Sequence, residues 1–366
     1  MEIIAKNKNE FQNLVLHIPN GTKTIENGAF SECNWFNIVV IPEGVEKIGE
    51  SAFSFCKNLE KVHFPSTLLE IGISSFTGCL KLEKLLLKNV RVIGPNAFAR
   101  CKNLTDVDMP RVEAIYYRAF YMCRKLQSIT NATNVQYVRK EAFAHAGKIS
   151  FIKFGEPLLS IDNGAFKYSQ VHLVSLEEAT QLKSMGNSIF QNCELLSGVK
   201  FAPQTQMKIL CTKIFRNCSN LHRIELPEGI TAISSNVFES SSIREVTCPS
   251  TLNKIARRAF YNCSEFCMPV LSVDVAVDPT AFLGCRPTSV FDLSNTITHM
   301  ELDDKLCSIC MEGFANNSCK FGCGHVFHTE CAKEWYVKSS TCANCRQEVE
   351  QVQVVEKSVK RRKICK

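Results

Sequence analysis

Eight cysteine and histidine residues near the carboxyl terminus have the types and the spacing of metal ligands. They fall within 39 residues as four close pairs, Cys307 with Cys310, Cys323 with His325, His328 with Cys331, and Cys342 with Cys345. Zinc binds four thiolate or imidazole donors in a tetrahedron, so four pairs predict two closed, structural zinc sites. Because no coordination position stays open, we do not expect the metal to perform catalysis.

The composition is that of a soluble globular protein. The chain has 366 residues, of which 45% are hydrophobic and 22% are charged. The first residues, MEIIAKNKNEF, lack the apolar run of a secretory signal, and no window approaches the 18 apolar residues that a spanning helix needs. We therefore expect the cytosol or the nucleus and no membrane.

The 20 cysteines follow two patterns. Seven lie between residues 307 and 345, and nine recur at one position of a sequence repeat. Neither pattern is typical of a small disulfide-bonded secreted domain, and both suit a reducing compartment.

Most of the positive charge is terminal. The net charge is +7, and the last ten residues, KSVKRRKICK, contain six Lys or Arg and no acid, which leaves +1 for the other 356. The tail is open to three interpretations: a nuclear import signal, a basic patch for nucleic acid or membrane, or a solvated flexible end.

A phenylalanine recurs every 22 to 25 residues through the first three quarters of the chain. Its twelve members are Phe30, Phe53, Phe76, Phe98, Phe120, Phe143, Phe166, Phe190, Phe215, Phe238, Phe260 and Phe282. An apolar residue stands five places before each one, and a cysteine stands three places after nine of them, with Ala146, Ser169 and Ser241 in the other three units. One small side chain per unit at a fixed offset predicts a buried row of thiols rather than a metal site. The six histidines outside the zinc segment, including His145, share no repeat position and are interpreted as surface or locally satisfied residues.

Further along each unit, alternation of apolar and polar residues predicts one short strand followed by a turn. A unit of this length cannot bury its apolar face alone, so the units must stack into a solenoid with one continuous core. The residues that alternate with the buried strand positions should point outward and form a protein-binding surface. They include Lys61 and His63, Lys84 and Leu86, Asp106 and Asp108, Phe151 and Lys153, Arg223 and Glu225, and Glu245 and Thr247.

The repeat pattern, near I-G-x-x-A-F-x-x-C-x-x-L-x-x-V-x-x-P, resembles the BspA-like leucine-rich repeats over about the first 295 residues. The resemblance implies a β-rich solenoid of the α/β repeat class with about twelve units. We assign residues 1–297 to the solenoid, 303–349 to the zinc domain and 350–366 to a basic, flexible tail.

The run GCGHVFHTEC, followed by a tryptophan and TCANCR, resembles a RING finger of the two-histidine class. In that family the ligand pairs interleave in a cross-brace. The resemblance implies that Cys307, Cys310, His328 and Cys331 hold one zinc and that Cys323, His325, Cys342 and Cys345 hold the other.

A rival assignment uses Cys319 and Cys323 with His328 as the single histidine, as in PHD fingers. That family expects an aromatic residue where this chain has Ser340, whereas the RING expectation of a tryptophan after Cys331 is met by Trp335. We prefer the RING assignment, which leaves Cys319 as a spare thiol.

RING fingers typically act as ubiquitin ligases, which hold a conjugating enzyme charged with ubiquitin near a substrate lysine without forming a covalent intermediate. By resemblance, Ile309 and Trp335 provide apolar contacts to that enzyme, and Arg346 stands where active members have a linchpin between the enzyme and ubiquitin. Ala343 departs from the proline that the family commonly has there.

We therefore expect a RING-type ubiquitin transferase that binds an unknown protein target through its repeats. Two alternatives stay open: a zinc-dependent interaction scaffold without ligase activity, suggested by Ala343, and a PHD-like chromatin reader. The segment EVEQVQVVEK after the finger fits a strand or a short helix and is a candidate for RING dimerisation.

Overall fold

The computed structural model describes residues 14–267, 271, 275–285, 318–321, 325–328, 331–332 and 352–355. The chain divides into two compact units, Met1–Phe282 and Leu283–Lys366. The first is a solenoid of parallel strands, and the second contains a small antiparallel sheet.

Within the described residues, eleven turns of the solenoid each contribute a strand of three or four residues to what we call the first strand row. Neighbouring strands pair in parallel, in four hydrogen-bonded groups. The central residue of nearly every strand is buried, and its neighbours in the strand face outward because successive side chains alternate. The eleven strands are Val15–His17, Ile38–Val40, Lys61–His63, Lys84–Leu86, Asp106–Asp108, Ser128–Thr130, Phe151–Lys153, Leu173–Leu176, Gly198–Phe201, Arg223–Glu225 and Glu245–Thr247.

A second strand row corrects the expectation of one strand per unit. The apolar residue five places before each phenylalanine ends a two-residue strand, and these strands form one eight-stranded and one four-stranded parallel sheet. A strand of two residues is too short for alternation to show in the sequence. The twelve strands are Thr24–Ile25, Lys47–Ile48, Glu70–Ile71, Val92–Ile93, Ala114–Ile115, Tyr137–Val138, Ser160–Ile161, Ser184–Met185, Ile209–Leu210, Ala232–Ile233, Lys254–Ile255 and Ala276–Val277.

The twelve repeated phenylalanines form a continuous stack of rings, the phenylalanine ladder. Successive ring centroids are 5.0 to 5.7 Å apart. Ten of these rings, from Phe53 to Phe260, are fully buried. Because each ring packs on the next turn, no turn has a closed core of its own, and the β-rich solenoid predicted from the repeats is confirmed.

The segment around each ladder phenylalanine forms the turn row, which connects the two strand rows. It is built of turns, and the short 3₁₀ helix Ala132–Asn134 lies between the strand rows rather than in it. Around each ladder phenylalanine from Phe30 to Phe260, the residues two places before and two places after it adopt positive φ, as do Ser51 (53°) and Phe55 (54°) around Phe53. This alternation directs the N–H groups of Ser51, Phe53 and Phe55 to carbonyls of the following turn, at 2.7 to 2.8 Å. The bonds compensate for a left-handed conformation that disfavours side chains other than glycine.

The second unit contains three antiparallel strands, Ser318–Phe321, Val326–His328 and Val352–Val355. The first of them is central and pairs with both others. The segment after the finger, for which strand and helix were both open, therefore contributes a strand, and this strand lies within the stretch 350–366 that we assigned to a flexible tail.

Candidate functional site

The strands of the second unit bring part of the predicted zinc segment together. Ser318 pairs with His328 and Lys320 with Val326, so residues 322–325 connect the two strands of a hairpin. Cys323 and His325 belong to this connection, and His328 ends the returning strand. The returning strand, which His328 ends, thus follows the ligand pair Cys323 and His325 and leads into the pair His328 and Cys331.

His328 and Cys331 lie side by side. His328 ends a strand, Cys331 is helical, and the distance from Nδ1 to Sγ is 4.0 Å. In a tetrahedral site with zinc–sulfur and zinc–nitrogen bonds of about 2.3 and 2.0 Å, the sulfur and the nitrogen lie about 3.5 Å apart. The observed 4.0 Å is longer than this by about 0.5 Å, so a small movement of either side chain would bring both within reach of one zinc ion.

His325 is half-buried, and burial lowers the pKa of its imidazole. A lower pKa favours the neutral ring, which is the form that binds a metal. The described part of the finger also has two buried apolar residues, Phe327 and Ala332, with exposed fractions of 0% and 2%. Sequence reasoning did not single out Phe327, although its place between the two histidines of GHVFH is a strand-like alternation.

The remaining predicted site residues lie outside the described residues. They are the ligands Cys307, Cys310, Cys323, Cys342 and Cys345 and the contact residues Ile309, Trp335, Ala343 and Arg346. Within the residues that the structure does describe, no group of three or more His, Cys, Asp or Glu side chains is arranged to hold a metal ion.

The backbone of Cys319 lies in the central strand, opposite Phe327 on one side and Val354 on the other. This residue is a zinc ligand in the rival assignment and a spare thiol in the preferred one. Its strand position belongs to the three-stranded sheet and not to the hairpin connection that contains Cys323.

The outward residues of the first strand row form the second candidate site. Lys61, His63, Arg223 and Glu225 are exposed on either side of a buried central residue, as the alternation predicts. Leu86 is 61% exposed and Phe151 is 45% exposed, which makes them the largest open apolar side chains of this row.

Ion pairs cross between neighbouring strands of the first row. Lys84 pairs with Asp106 at 3.5 Å, and Arg223 pairs with Glu245 at 2.5 Å. Asp108 accepts hydrogen bonds from Thr130 Oγ1 at 2.9 Å and from Asn131 Nδ2 at 2.6 Å. The row therefore offers apolar side chains among polar groups that already have partners, as protein-binding surfaces do.

The solenoid offers little to a small molecule. A depression bordered by Glu32, Asn34, Phe55 and Lys57 has a volume of about 200 Å³, which is below the range of about 300–1,000 Å³ typical of ligand pockets.

The repeated cysteines are structural. Within residues 14–267 there is no disulfide, and the thiols from Cys56 onward at this repeat position are buried. Burial raises the pKa of Cys101 and of Cys193 to about 12, and each thiol donates a hydrogen bond to a phenylalanine carbonyl of the preceding turn. A thiol that stays protonated is a poor metal ligand and a poor nucleophile. The predicted row of buried thiols is confirmed for these residues.

Among the described residues, no helix is long and apolar enough to cross a bilayer.

Two protein families match the chain. The BspA type leucine-rich repeat region matches residues 23–150 and 136–267, and the Ring finger domain matches residues 305–346. The second match includes the whole ligand pattern and favours the RING assignment of the finger over the PHD assignment.

Relatives of the finger occur in Arabidopsis thaliana. RING-H2 finger protein ATL56 is 41% identical over 71 residues, which are 19% of this chain and 38% of that protein. Probable E3 ubiquitin-protein ligase RHC1A is 30% identical over 69 residues, which are 17% of this chain and 21% of that protein. The chain thus spans well under half the length of either relative.

A leucine-rich repeat protein from Bacteroides ovatus, whose crystal structure is known, is 22% identical and has a TM-score of 0.41. The likeness covers 71% of this chain and 87% of that one. The repeat family accounts for more than half of the residues. The chain therefore belongs to the BspA-type leucine-rich-repeat proteins, and it carries a RING-H2 finger after its repeats.

Proposed function

We propose that this protein is a RING-type ubiquitin ligase whose repeats bind a protein target while its finger holds a conjugating enzyme charged with ubiquitin. The observation that carries the proposal is the presence on one chain of a RING-H2 finger and a repeat region with a long exposed strand row. The relatives named as a RING-H2 finger protein and a probable E3 ligase support the ligase half of it.

In this proposal the finger contributes proximity and orientation. The amine of a target lysine attacks the thioester carbonyl, an isopeptide bond replaces the thioester, and the cysteine of the conjugating enzyme leaves as a thiol. The ligase forms no bond to ubiquitin. Restricting a flexible conjugate near its acceptor can remove several kcal/mol from the barrier.

The contacts that we assign to the conjugating enzyme are Ile309, Trp335, Ala343 and Arg346. Ile309 and Trp335 supply apolar area, and an exposed aromatic anchor suits a small interface. Arg346 presents a planar fork of five donors, which can bind two proteins at once better than a lysine can. Ala343 offers less apolar surface than proline and is expected to weaken the contact or change the choice of enzyme.

Two structural zinc ions would hold the finger together. We propose Cys307, Cys310, His328 and Cys331 for the first ion, and the 4.0 Å approach of His328 to Cys331 supports that pairing.

The second ion would take Cys323, His325, Cys342 and Cys345. Each structural zinc supplies folding free energy on the order of 10 kcal/mol, so the metal's part is to stabilise the fold that presents the contact residues.

The target would bind on the first strand row. Leu86 and Phe151 provide apolar anchors, and the ion pairs around Asp106 and Glu245 provide a polar surround. The length of the exposed first strand row suits the surface of a protein better than a small molecule.

We further propose a cytosolic or nuclear location, with the basic tail as a candidate import signal. The segment after residue 349 is a candidate dimerisation element.

The test is a ubiquitination assay with purified full-length protein and a panel of conjugating enzymes. We expect chain formation with wild type and a loss of at least about tenfold with Ile309→Ala and with Arg346→Ala, because each change removes a contact to the charged enzyme. Leu86→Ala is the matched control, since it alters the repeats and should leave chain formation without a target unchanged.

The scaffold alternative is tested in the same assay with Ala343→Pro. A gain of activity in this variant would show that the proline contact is the limiting one in a working ligase. Absence of chains for wild type and for Ala343→Pro with every conjugating enzyme, while zinc stays bound, would favour the scaffold and defeat the ligase proposal.

A further inference from the structure

Positive charge is concentrated in four successive turns of the turn row. Segments 94–103, 116–125, 139–148 and 162–171 each run from four residues before a ladder phenylalanine to five after it. Together they contain nine Lys or Arg and two acidic residues, for a net charge of +7. The corresponding segments of the other eight turns contain seven basic and seven acidic residues and are neutral overall. We call the charged region the basic turn patch.

The fold compresses this charge into a small area. The four turns stack with ladder spacings of 5.5, 5.2 and 5.1 Å, and N–H groups such as that of His145 bond directly to the next turn. Side chains that are 20 or more residues apart in sequence therefore become neighbours. Six of the cations are exposed: Arg100, Lys102, Arg124, Lys125, Lys140 and Lys148.

Few of these cations have an acidic partner. Arg118 pairs with Glu141 at 2.6 Å, and Arg139 pairs with Asp162 at 3.4 Å. Both acids of the patch are thereby used, and within residues 14–267, which are all described, none of the six exposed cations forms an ion pair. Uncompensated charge at this density attracts an anionic partner.

The patch also has an ordered aromatic cluster at its centre. His145 stacks on Tyr168 with centroids 4.8 Å apart and meets the edge of Tyr121 at 5.5 Å. Arg118 lies over the rings of Tyr117 and Tyr121, at 4.9 and 4.8 Å. The rings hold their cationic neighbours in place, so the patch is preorganised and less entropy is lost on binding.

The covered ring faces decide between two classes of anionic partner. Single-stranded nucleic acid binds by stacking bases on open aromatic faces. Here Arg118 covers Tyr121, and Tyr168 is in contact with both His145 and Lys167, whose Nζ is 5.3 Å from the ring centre. Tyr168 and Tyr116 are 45% and 39% exposed, but within these described turns no stacking contact joins them, so the patch has no continuous row of open ring faces. The groups open to a ligand are therefore mainly the cations around the aromatic cluster. These favour the carboxylates of a polypeptide over planar bases.

The electrostatic environment of His145 is consistent with a positive field. Burial lowers the pKa of its imidazole, Arg124 lowers it further, and Glu141 opposes them. Lys167 and Arg118 also act to lower it. Three cations from the two neighbouring turns, Arg118 and Arg124 from one and Lys167 from the other, thus affect one central ring.

We propose that the basic turn patch binds an acidic polypeptide segment, rich in Asp and Glu, of a partner protein. This surface is distinct from the first strand row. The binding itself does not depend on ligase activity, although a partner held here would be a substrate if the proposed function is correct.

The test uses the full-length protein and a fluorescein-labelled peptide of twelve alternating Asp and Glu residues, followed by fluorescence anisotropy. We expect binding that weakens as salt is raised, because exposed charges are screened. The double variant Arg124→Glu with Lys125→Glu should raise the Kd by about tenfold or more, since reversed charges repel the ligand.

The matched control is Lys57→Glu with Lys81→Glu. Lys57 and Lys81 are exposed and occupy the repeat positions of Arg124 and Lys125, four and five residues after a ladder phenylalanine, in turns outside the patch. The charge change is the same and the basic tail is present in every form. Lys81 differs from the patch residues in pairing with Glu60 at 3.5 Å, a contact between exposed side chains that the variant removes. Circular dichroism checks that both double variants fold.

Three outcomes would overturn the proposal. Wild type could fail to bind the peptide, or the two double variants could lose affinity equally. Both variants could instead keep their full affinity, which is the result expected when the tail binds the peptide. A twelve-nucleotide single-stranded RNA that binds more tightly than the peptide, and depends on Arg124 and Lys125, would replace the acidic polypeptide with nucleic acid. The assay contains no ubiquitin or conjugating enzyme, so failure of the ligase proposal leaves its result unaffected.

Discussion

The thiol of Cys101 donates a hydrogen bond to the backbone carbonyl of Phe76, with 3.2 Å between sulfur and oxygen. The two residues are 25 positions apart in sequence and lie in successive turns. The same bond joins Cys123 to Phe98 and Cys218 to Phe190. Each thiol therefore fills a small buried space and also satisfies a carbonyl of the turn before it.

Substitution at Cys101 should reveal both roles. We expect Cys101→Ser to lower the free energy of unfolding by only about 1 kcal/mol, because a hydroxyl can donate to the same carbonyl and the buried Ser169 and Ser241 occupy this repeat position in other turns. Cys101→Leu should cost about 1–3 kcal/mol through overpacking. Urea unfolding followed by circular dichroism measures both. The exposed Cys267 is the control, and a Leu there should change stability by less than about 0.5 kcal/mol.

Truncation of the phenylalanine ladder should be far more damaging than truncation of an exposed phenylalanine. Phe120 is fully buried between Phe98 and Phe143, with centroids 5.5 and 5.2 Å away. Phe120→Ala should lower the free energy of unfolding by about 3–5 kcal/mol. Phe151→Ala, at a side chain that is 45% exposed, should cost less than about 1 kcal/mol. Similar losses in the two variants would contradict the stacked core.

The charges around His145 should be visible in its titration by NMR. Burial and the neighbouring Arg124 lower the pKa of this imidazole, so we expect a midpoint below its ordinary value of about 6.5. Arg124→Gln should raise the midpoint, and Glu141→Gln should lower it further. Arg223→Gln, in a distant turn, should leave it in place. A midpoint indifferent to Arg124 would argue against the compact arrangement of the patch.

The same pKa change fixes the sign of a pH effect on stability. Because the folded pKa of His145 lies below the unfolded one, the unfolded chain binds more protons as the pH falls. The contribution of His145 is therefore fully present above about pH 6.5 and is lost as the pH falls through the folded value. Urea unfolding of wild type and of His145→Gln at pH 7.5 and at about pH 5.5 should show a smaller pH dependence in the variant.

Metal content should distinguish the two assignments of the zinc segment. We expect two zinc ions per chain by native mass spectrometry, and both should remain in Cys319→Ser because the preferred assignment leaves that thiol spare. Cys331→Ser should lose zinc, since its sulfur lies 4.0 Å from His328 and would share an ion with it. Loss of zinc in Cys319→Ser together with retention in His325→Ala would support the rival assignment.

Much of the solenoid could be predicted because its repeat keeps the same chemical type at each buried position. The ladder phenylalanines, the thiols and the central strand residues such as Val62 and Ile224 are buried as the periodicity indicates. The second strand row was missed for a physical reason. A strand such as Lys47–Ile48 contains a single outward and a single inward residue, which is too little for alternation to be recognised.

Few residues in the sequence indicate the backbone conformation of the turn row. Positive φ occurs at Arg100 and Met122, whose side chains give no indication of it, and the hydrogen bonds to the following turn stabilise it there. Glycines at the equivalent Gly78 and Gly284 were the available signal.

The basic turn patch could not be predicted from the net charge of the whole chain. Apart from the last ten residues the protein has a net charge of only +1, and that value suggested an evenly neutral body. Arg118, Arg124 and Lys167 come together around His145 only when the repeat phase is combined with the stacking of turns. The zinc ligands, in contrast, are predicted from spacing alone because the metal requires fixed donor types, and the eight-ligand set stays a prediction.

The nearly constant spacing of the phenylalanine ladder has a consequence for how such a protein changes over generations. Every turn presents the same ring to the turn before it and to the turn after it, so a block of 22 to 25 residues can be duplicated or deleted without altering the packing at the new junction. The number of turns can then change in evolution without any change in the residues of the finger. The length of the exposed rows can therefore change while the RING-H2 sequence stays as it is.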